Sequence, residues 1–317
     1  MNKRNIKNIE WGILICSILL FVIGCIALYS ATEGTEHEEL FKQLQWFAIC
    51  IPIVIVLTII DYKTIIKLSP IFYGIFIILL IAVLFTEPIN GATSWFDLGF
   101  FSFQPAEFAK IFVICFIAYV MSIYNKNGKE EINKPLKLLS LLLIVGIPVA
   151  LIIKQPDYGT AVAFLVATVF MLFVGGIKKR YIITAILLVV ILVPVAYLYL
   201  LPEHAKTRID IYLNPDLDPR GAGYNIIQSK LAIGAGQFFG MGFLKGNQTQ
   251  LGFLYPKTTD FIYSVIGEEM GFIVAGAIII LYVIMITKII YVAKTAKDNI
   301  GSYTAIRYCR SICILYG

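Results

Sequence analysis

The sequence predicts an all-α polytopic membrane protein, from its composition, the length of its apolar runs and the placement of its basic residues. Of its 317 residues, 59% are hydrophobic and 15% charged, with a mean hydropathy of +0.84. Soluble domains run at roughly 45–50% apolar and about 25% charged. Apolar runs near spanning length, about 20 residues, fall at 11–30, 43–60, 66–86, 105–123, 137–153, 160–177, 181–201 and 262–287. About eight transmembrane helices in one domain follow, with a large extracellular loop, 202–261, before the eighth.

Taken in order, the connections alternate in charge. Lys3, Arg4 and Lys7 precede the first run, Lys63 and Lys67 lie at the start of the third, Lys126, Lys129 and Lys134 precede the fifth, and Lys178, Lys179 and Arg180 the seventh. Lys294 and Lys297 follow the eighth. Lysine and arginine in short loops mark the cytoplasmic side, which sends EGTEHEEL (33–40), the Trp95 loop, 154–160 and 202–261 outside. An even number of crossings puts both termini in the cytoplasm. The first run lacks the short core and small-residue cleavage site of a removable signal, so it is expected to remain as an anchor.

Several chemistries are closed off. Cys16, Cys25, Cys50 and Cys115 lie in apolar runs, where a thiol behaves as a small hydrophobe, and Cys309 and Cys313 fall on the reducing side, so disulfides are not expected. His37 and His204 are the only histidines, too few for a histidine metal cage or a Ser-His-Asp triad. Neither a Walker-type loop nor a GxGxxG motif occurs. The net charge of +6 calls for no nucleic acid, because much of it follows the positive-inside rule.

Charges at the outer ends of the spans are the candidate functional groups. Lys154, Lys206, Arg208, Arg220, Lys230, Lys245 and Lys257 are cations that topology does not require. They fit either a solvated mixed-charge loop or a site for an anionic lipid headgroup such as a pyrophosphate. In QPAEFAKIF (104–112), Glu107 and Lys110 share one helix face. They fit an internal ion pair or a substrate cavity, since ionisable groups in a span face protein or water. Asp157 in QPDYGTA (155–161) suits a helix cap as well as a binding role.

TTDFIYSVIGEE (258–269) places Asp260 at the mouth of the last run. On a continuous helix, Asp260, Ser264, Gly267 and Gly271 fall within about 40° of a common line, a small-residue face suited to close packing. Glu268 is offset by about 80° and Glu269 points away. A helix N-cap remains the competing role for Asp260.

The stretches NGATSWFDLGFFSFQPAEFAK (90–110), KQPDYGTA (154–161), RIDIYLNPDLDPRGAGYNIIQSKLAIGAGQFFGMGFLKGNQTQLGFL (208–254) and TDFIYSVIGEEMGF (259–272) resemble the SEDS family of shape, elongation, division and sporulation proteins. GATSWF, the DPRGAGYNIIQSK run and GNQTQLGFL look more like its elongation members than its division members. The resemblance implies a ten-helix peptidoglycan glycosyltransferase that polymerises lipid II on the outer membrane face, in cell elongation and shape maintenance, beside a class B penicillin-binding protein. Converting an α-linked donor into a β-1,4 glycan strand implies inversion. That asks for one general base at the acceptor 4-hydroxyl and positive charge at the departing undecaprenyl pyrophosphate.

Asp260 stands at the family's catalytic aspartate, and Arg208 and Lys110 are the candidates for the positive charge. Trp95 matches the functionally important tryptophan of the outer loop, although an interfacial belt also explains a tryptophan there. Glu107, Lys110, Asp157 and Arg208 match family motifs and are candidate substrate-binding residues. A divalent cation, Mg or Mn, with oxygen ligands fits the implied chemistry, which needs no organic cofactor.

Two departures stand out. The family's Leu-Pro-Glu-x-His-Thr-Asp reads Leu254-Tyr255-Pro256-Lys257-Thr258-Thr259-Asp260 here, losing the Glu and the His. Family-like sequence runs through DNIGSYTAI (298–306), where a ninth helix is expected to begin, and RYCRSICILYG (307–317) then reads as an unrelated tail. The expectation is an incomplete SEDS domain, 1–306, shortened by a frameshift or premature stop; resequencing the gene with its downstream DNA tests it. A lipid II transporter and an inactive fragment are the alternative functions.

Overall fold

A computed structural model describes residues 10–87, 93–97, 102–124, 131–174, 177–200 and 203–295. Each of the eight expected runs falls on a helix. These are α1 (Trp11–Ala31), α2 (Glu38–Ile59), α3 (Tyr62–Ala82), α4 (Pro105–Tyr124), α5 (Pro135–Lys154), α6 (Tyr158–Val174), α7 (Lys179–Val195) and the long helix α11 (Ile262–Thr295). Six of the helices, α1 to α5 and α11, are long and apolar enough to cross a membrane. At 17 residues each, α6 and α7 are shorter, and α7 continues into a π-helical turn, Ala196–Leu200. The expected ninth-helix start and the 307–317 tail lie outside the described residues.

The 202–261 connection is not a plain loop. It carries α8 (Glu203–Leu213), α9 (Tyr224–Ala235) and a single turn, α10 (Asn247–Gln250). Short glycine-rich bends separate these helices, which hides them from a search for long apolar periodicity.

The chain divides into two compact units, Met1–Ile55 with Leu188–Met285 and Val56–Leu187 with Ile286–Gly317. In the second, α4 buries Ala106, Ala109, Val113, Ile117 and Met121 along one face, the i, i+3, i+4 spacing of a core stripe. Those residues pack with Leu80 of α3, Leu141 and Ile152 of α5, and Phe164 of α6. Aromatic rings join α3 to α4, with Phe72 and Phe76 stacked on Phe112 at 4.6 and 5.0 Å. Proline opens α4 and α5, where a missing N–H costs nothing. A short hairpin, β1 (Phe96–Asp97) against β2 (Ser102–Phe103), leads into α4.

In the first unit, Ala27 of α1 packs with Ile266 and Ile278 of α11, and Ala31 with Leu254 and Val265. Inside α11, Gly271 adopts φ 76°, ψ −177°, and the helix breaks there. A break frees backbone groups that must find other partners, and the chain before α10 supplies them. The N–H groups of Phe272 and Ile273 donate to the carbonyls of Gln237 and Phe238 at 2.8 and 3.2 Å. The N–H groups of Met241 and Gly242 donate to the carbonyls of Glu268 and Glu269 at 2.8 and 3.0 Å. Residues 237–242 therefore lie against the break. Glycine at 240, with φ +80°, allows this approach, since a Cβ there would collide with the Glu269 carbonyl.

Candidate functional site

Asp260 sits in the turn between Leu254 and α11. The Phe261 N–H donates to the Pro256 carbonyl at 3.3 Å, and the Ser264 and Val265 N–H groups donate to the Phe261 carbonyl at 2.9 and 3.2 Å. The helical ladder therefore begins from Phe261. The Asp260 side chain is exposed and has no hydrogen-bond or ion-pair partner among the described residues. The cap role is thereby corrected: α11 starts at Ile262, and no amide of its first turn reaches the carboxylate.

The continuous small-residue line is corrected too, because Asp260 precedes the helix and Gly271 breaks it. Its middle survives. Ser264 Oγ and Ser229 Oγ of α9 are 2.7 Å apart, and an added Cβ on Gly267 would lie 3.1 Å from Ile233. Close approach of α9 to α11 thus depends on these small residues, as expected of such faces.

Glu268 and Glu269, set aside on helix angle, prove to be buried and hydrogen-bonded. They are 0% and 2% exposed. Glu268 accepts from the Gln248 N–H at 2.7 Å, the Thr249 N–H at 3.0 Å and Thr249 Oγ1 at 2.7 Å. Glu269 accepts from Gln250 Nε2 at 2.9 Å and the Leu244 N–H at 3.3 Å. Gln250 Nε2 also reaches Ser30 Oγ of α1 at 3.0 Å. The available sequence signal was the cost of two carboxylates in one span, which demands partners.

The outer cations of this unit divide. Lys206 pairs with Glu203 at 3.0 Å, and Lys257 Nζ donates to the Thr249 carbonyl at 2.9 Å. Arg220, Lys230 and Lys245 are exposed and form no ion pair among the described residues. Arg208 lies on α8, and its side chain lies outside the described residues.

The other candidates belong to the second unit. Trp95 is partly exposed beside β1, and its carbonyl accepts from Thr86 Oγ1 at 3.3 Å. Glu107 lies in the first turn of α4, and its Oε1 is 2.7 Å from Lys110 Nζ. The expected ion pair is therefore made. Asp157 bonds with both oxygens: Oδ1 accepts from the Thr160 N–H at 3.1 Å, capping α6, and Oδ2 from Gln104 Nε2 at 2.9 Å. These bonds bring Asp157 to the start of α4. Neighbouring Gln155 is wholly buried, with Nε2 on the Leu80 carbonyl at 3.0 Å and Oε1 without a partner. Among the described residues, no group of three or more His, Cys, Asp or Glu side chains could hold a metal ion.

Residues 10–316 match the FtsW/RodA/SpoVE family model, described as a cell cycle protein. The peptidoglycan glycosyltransferase MrdB of Escherichia coli K12 is 33% identical over 300 residues, covering 94% of this chain and 79% of that protein. The probable peptidoglycan glycosyltransferase FtsW of Geobacter sp. M18 is 33% identical over 324 residues, covering 99% and 86%. Among solved structures, a chain described under structural coordination of polymerization and crosslinking by a peptidoglycan synthase complex aligns with a TM-score of 0.78 at 23% identity, covering 95% of this chain and 83% of that one. The rod shape determining protein RodA of Thermus thermophilus aligns with a TM-score of 0.68 at 21% identity, covering 95% and 81%. At these identities the solved structures speak for the fold: a multi-pass helical membrane protein.

Proposed function

The chain belongs to the FtsW/RodA/SpoVE family and is a peptidoglycan glycosyltransferase, and we propose that it polymerises lipid II into β-1,4 glycan strands, with Asp260 as the general base. The observation that carries the assignment is the state of that carboxylate. Glu107, Asp157, Glu268 and Glu269 all have partners within hydrogen-bond distance. Asp260 has none among the described residues and is exposed at the start of a span. Of these five acids, it is the one left free to take a proton.

In the proposed reaction, the 4-hydroxyl of one sugar attacks the anomeric carbon of the strand anchored on the lipid. Asp260 accepts the hydroxyl proton as the new C–O bond forms. The bond to undecaprenyl pyrophosphate breaks from the opposite face, and the configuration inverts. Charge developing on the departing pyrophosphate needs preorganised cations; Arg208 and Lys110 are the candidates. Trp95, Glu107 and Asp157 are candidate substrate contacts. The working setting is the outer face of the cytoplasmic membrane, both termini inside, with a class B penicillin-binding protein as partner.

Purified lipid II supplied to the chain in detergent or nanodiscs tests this reading. Long lysozyme-sensitive strands with release of polyprenyl pyrophosphate are expected. Movement of lipid II between vesicle leaflets without strand formation would instead establish a transporter.

A further inference from the structure

We propose that Lys257 is a positioning residue for Asp260, acting through the Thr249 carbonyl on a platform held by Glu268; the inference rests on Asp260 being the general base. The turn from Leu254 to Phe261 is fastened at both ends. Leu254 is 1% exposed, packs with Ala31 and Val265, and donates its N–H to the Gln248 carbonyl at 3.2 Å. At the other end, the Phe261 N–H closes onto the Pro256 carbonyl at 3.3 Å, and the Phe261 carbonyl starts α11. Between them, the side-chain tie from the turn to residues 247–250 is Lys257 Nζ on the Thr249 carbonyl, at 2.9 Å.

That carbonyl is a fixed point. Thr249 is wholly buried, and its N–H and Oγ1 both bond Glu268 Oε2, at 3.0 and 2.7 Å. Glu268 is itself fully buried in α11. A chain of bonds thus runs from the helix, through Thr249, to a lysine three residues before the exposed aspartate. Asp260 has no bond of its own to hold it, so the rigidity of its turn sets where the carboxylate stands. Misplacing a reacting group by about 1 Å can cost on the order of 100-fold in rate. The family-like Leu-Pro-Glu-x-His-Thr-Asp pattern is lost in this turn, and Lys257 supplies the turn with an anchor there.

A lysine at the mouth of a span could instead bind the anionic lipid directly, and kinetics separate the two roles. The test uses the full chain in nanodiscs with purified lipid II, comparing wild type, Lys257→Met, Lys257→Arg, Thr249→Val and the Lys257→Met/Thr249→Val pair, beside Asp260→Asn. Positioning predicts that Lys257→Met lowers kcat by about 10- to 100-fold with KM within about twofold. Lys257→Arg should restore most of the rate, and the pair should fall no further than its worse member, since both act on one tie. Hydrogen exchange without substrate should quicken across 255–261 in Lys257→Met while the α9 amides keep their protection.

A raised KM with kcat intact, or unchanged exchange in the turn, would overturn the positioning role. An active Asp260→Asn would defeat the general-base reading separately, whatever Lys257 does, and the exchange measurement would still report whether Lys257 holds the turn.

Discussion

Replacing Glu268 by alanine should unfasten Gln248 and Thr249 from α11, leaving Leu244 and Gln250 on Glu269. The carboxylate is fully buried and accepts from the Gln248 N–H, the Thr249 N–H and Thr249 Oγ1. Truncation leaves those donors without their acceptor, and a buried orphan costs roughly 1–3 kcal/mol. Three orphans would add to about 3–9 kcal/mol; water entering the space left by the side chain brings the expectation to about 3–5 kcal/mol.

Glu268→Gln separates charge from geometry. An amide oxygen at the Oε2 position keeps both Thr249 donors, at 3.0 and 2.7 Å. Its NH2 group then faces the Gln248 N–H, so one bond becomes a donor–donor conflict costing about 1–3 kcal/mol. Thermal unfolding in one detergent, with hydrogen exchange on peptides covering 244–252, reads both variants. At about 2–4 °C per kcal/mol for domains of this order of size, the alanine variant should melt on the order of 10 °C below wild type and the glutamine variant about half as far. An alanine variant that melts with wild type and keeps the Gln248 and Thr249 amides protected would show that these bonds do not hold the segment.

Gly271→Ala should destabilise the first unit by more than about 1–2 kcal/mol, because φ 76° disfavours a side chain and its Cβ would meet the Gly240 amide. A melting curve checks it, and Gly276→Ala, which has open space, is the neutral control. Asp157→Ala should cost about 1 kcal/mol through the lost α6 cap and should free Gln104; Asp157→Asn, which keeps an oxygen for Thr160, should recover most of that stability.

The spans were legible because each is an apolar run near bilayer length, and every run met a helix, although the last helix runs eight residues past its run to Thr295 and α7 stops six short at Val195. The Asp157 cap and the Glu107–Lys110 pair were also legible, since both rest on contacts three residues apart. Long-range closure was hidden. The partners of Glu268 lie 19 and 20 residues away in a glycine-rich segment, and helix periodicity carries no information about such donors. Placing Asp260 on the stripe of α11 assumed one unbroken helix, whereas the ladder starts after it and Gly271 interrupts it. Local preference also suited Asp260 as a cap. What overrides it is the Pro256–Phe261 turn, which delays the helix until Ile262.

Strand synthesis from purified lipid II by Asp260→Asn, beside wild type and Asp260→Glu in the same nanodiscs, decides whether this carboxylate is the base. Asparagine removes the proton acceptor and nearly preserves the shape, and no described bond of the fold depends on Asp260. The variant should therefore melt like wild type and make no strands, with a loss of at least about 100-fold. Glycan strands from Asp260→Asn at a rate near wild type would contradict the assignment.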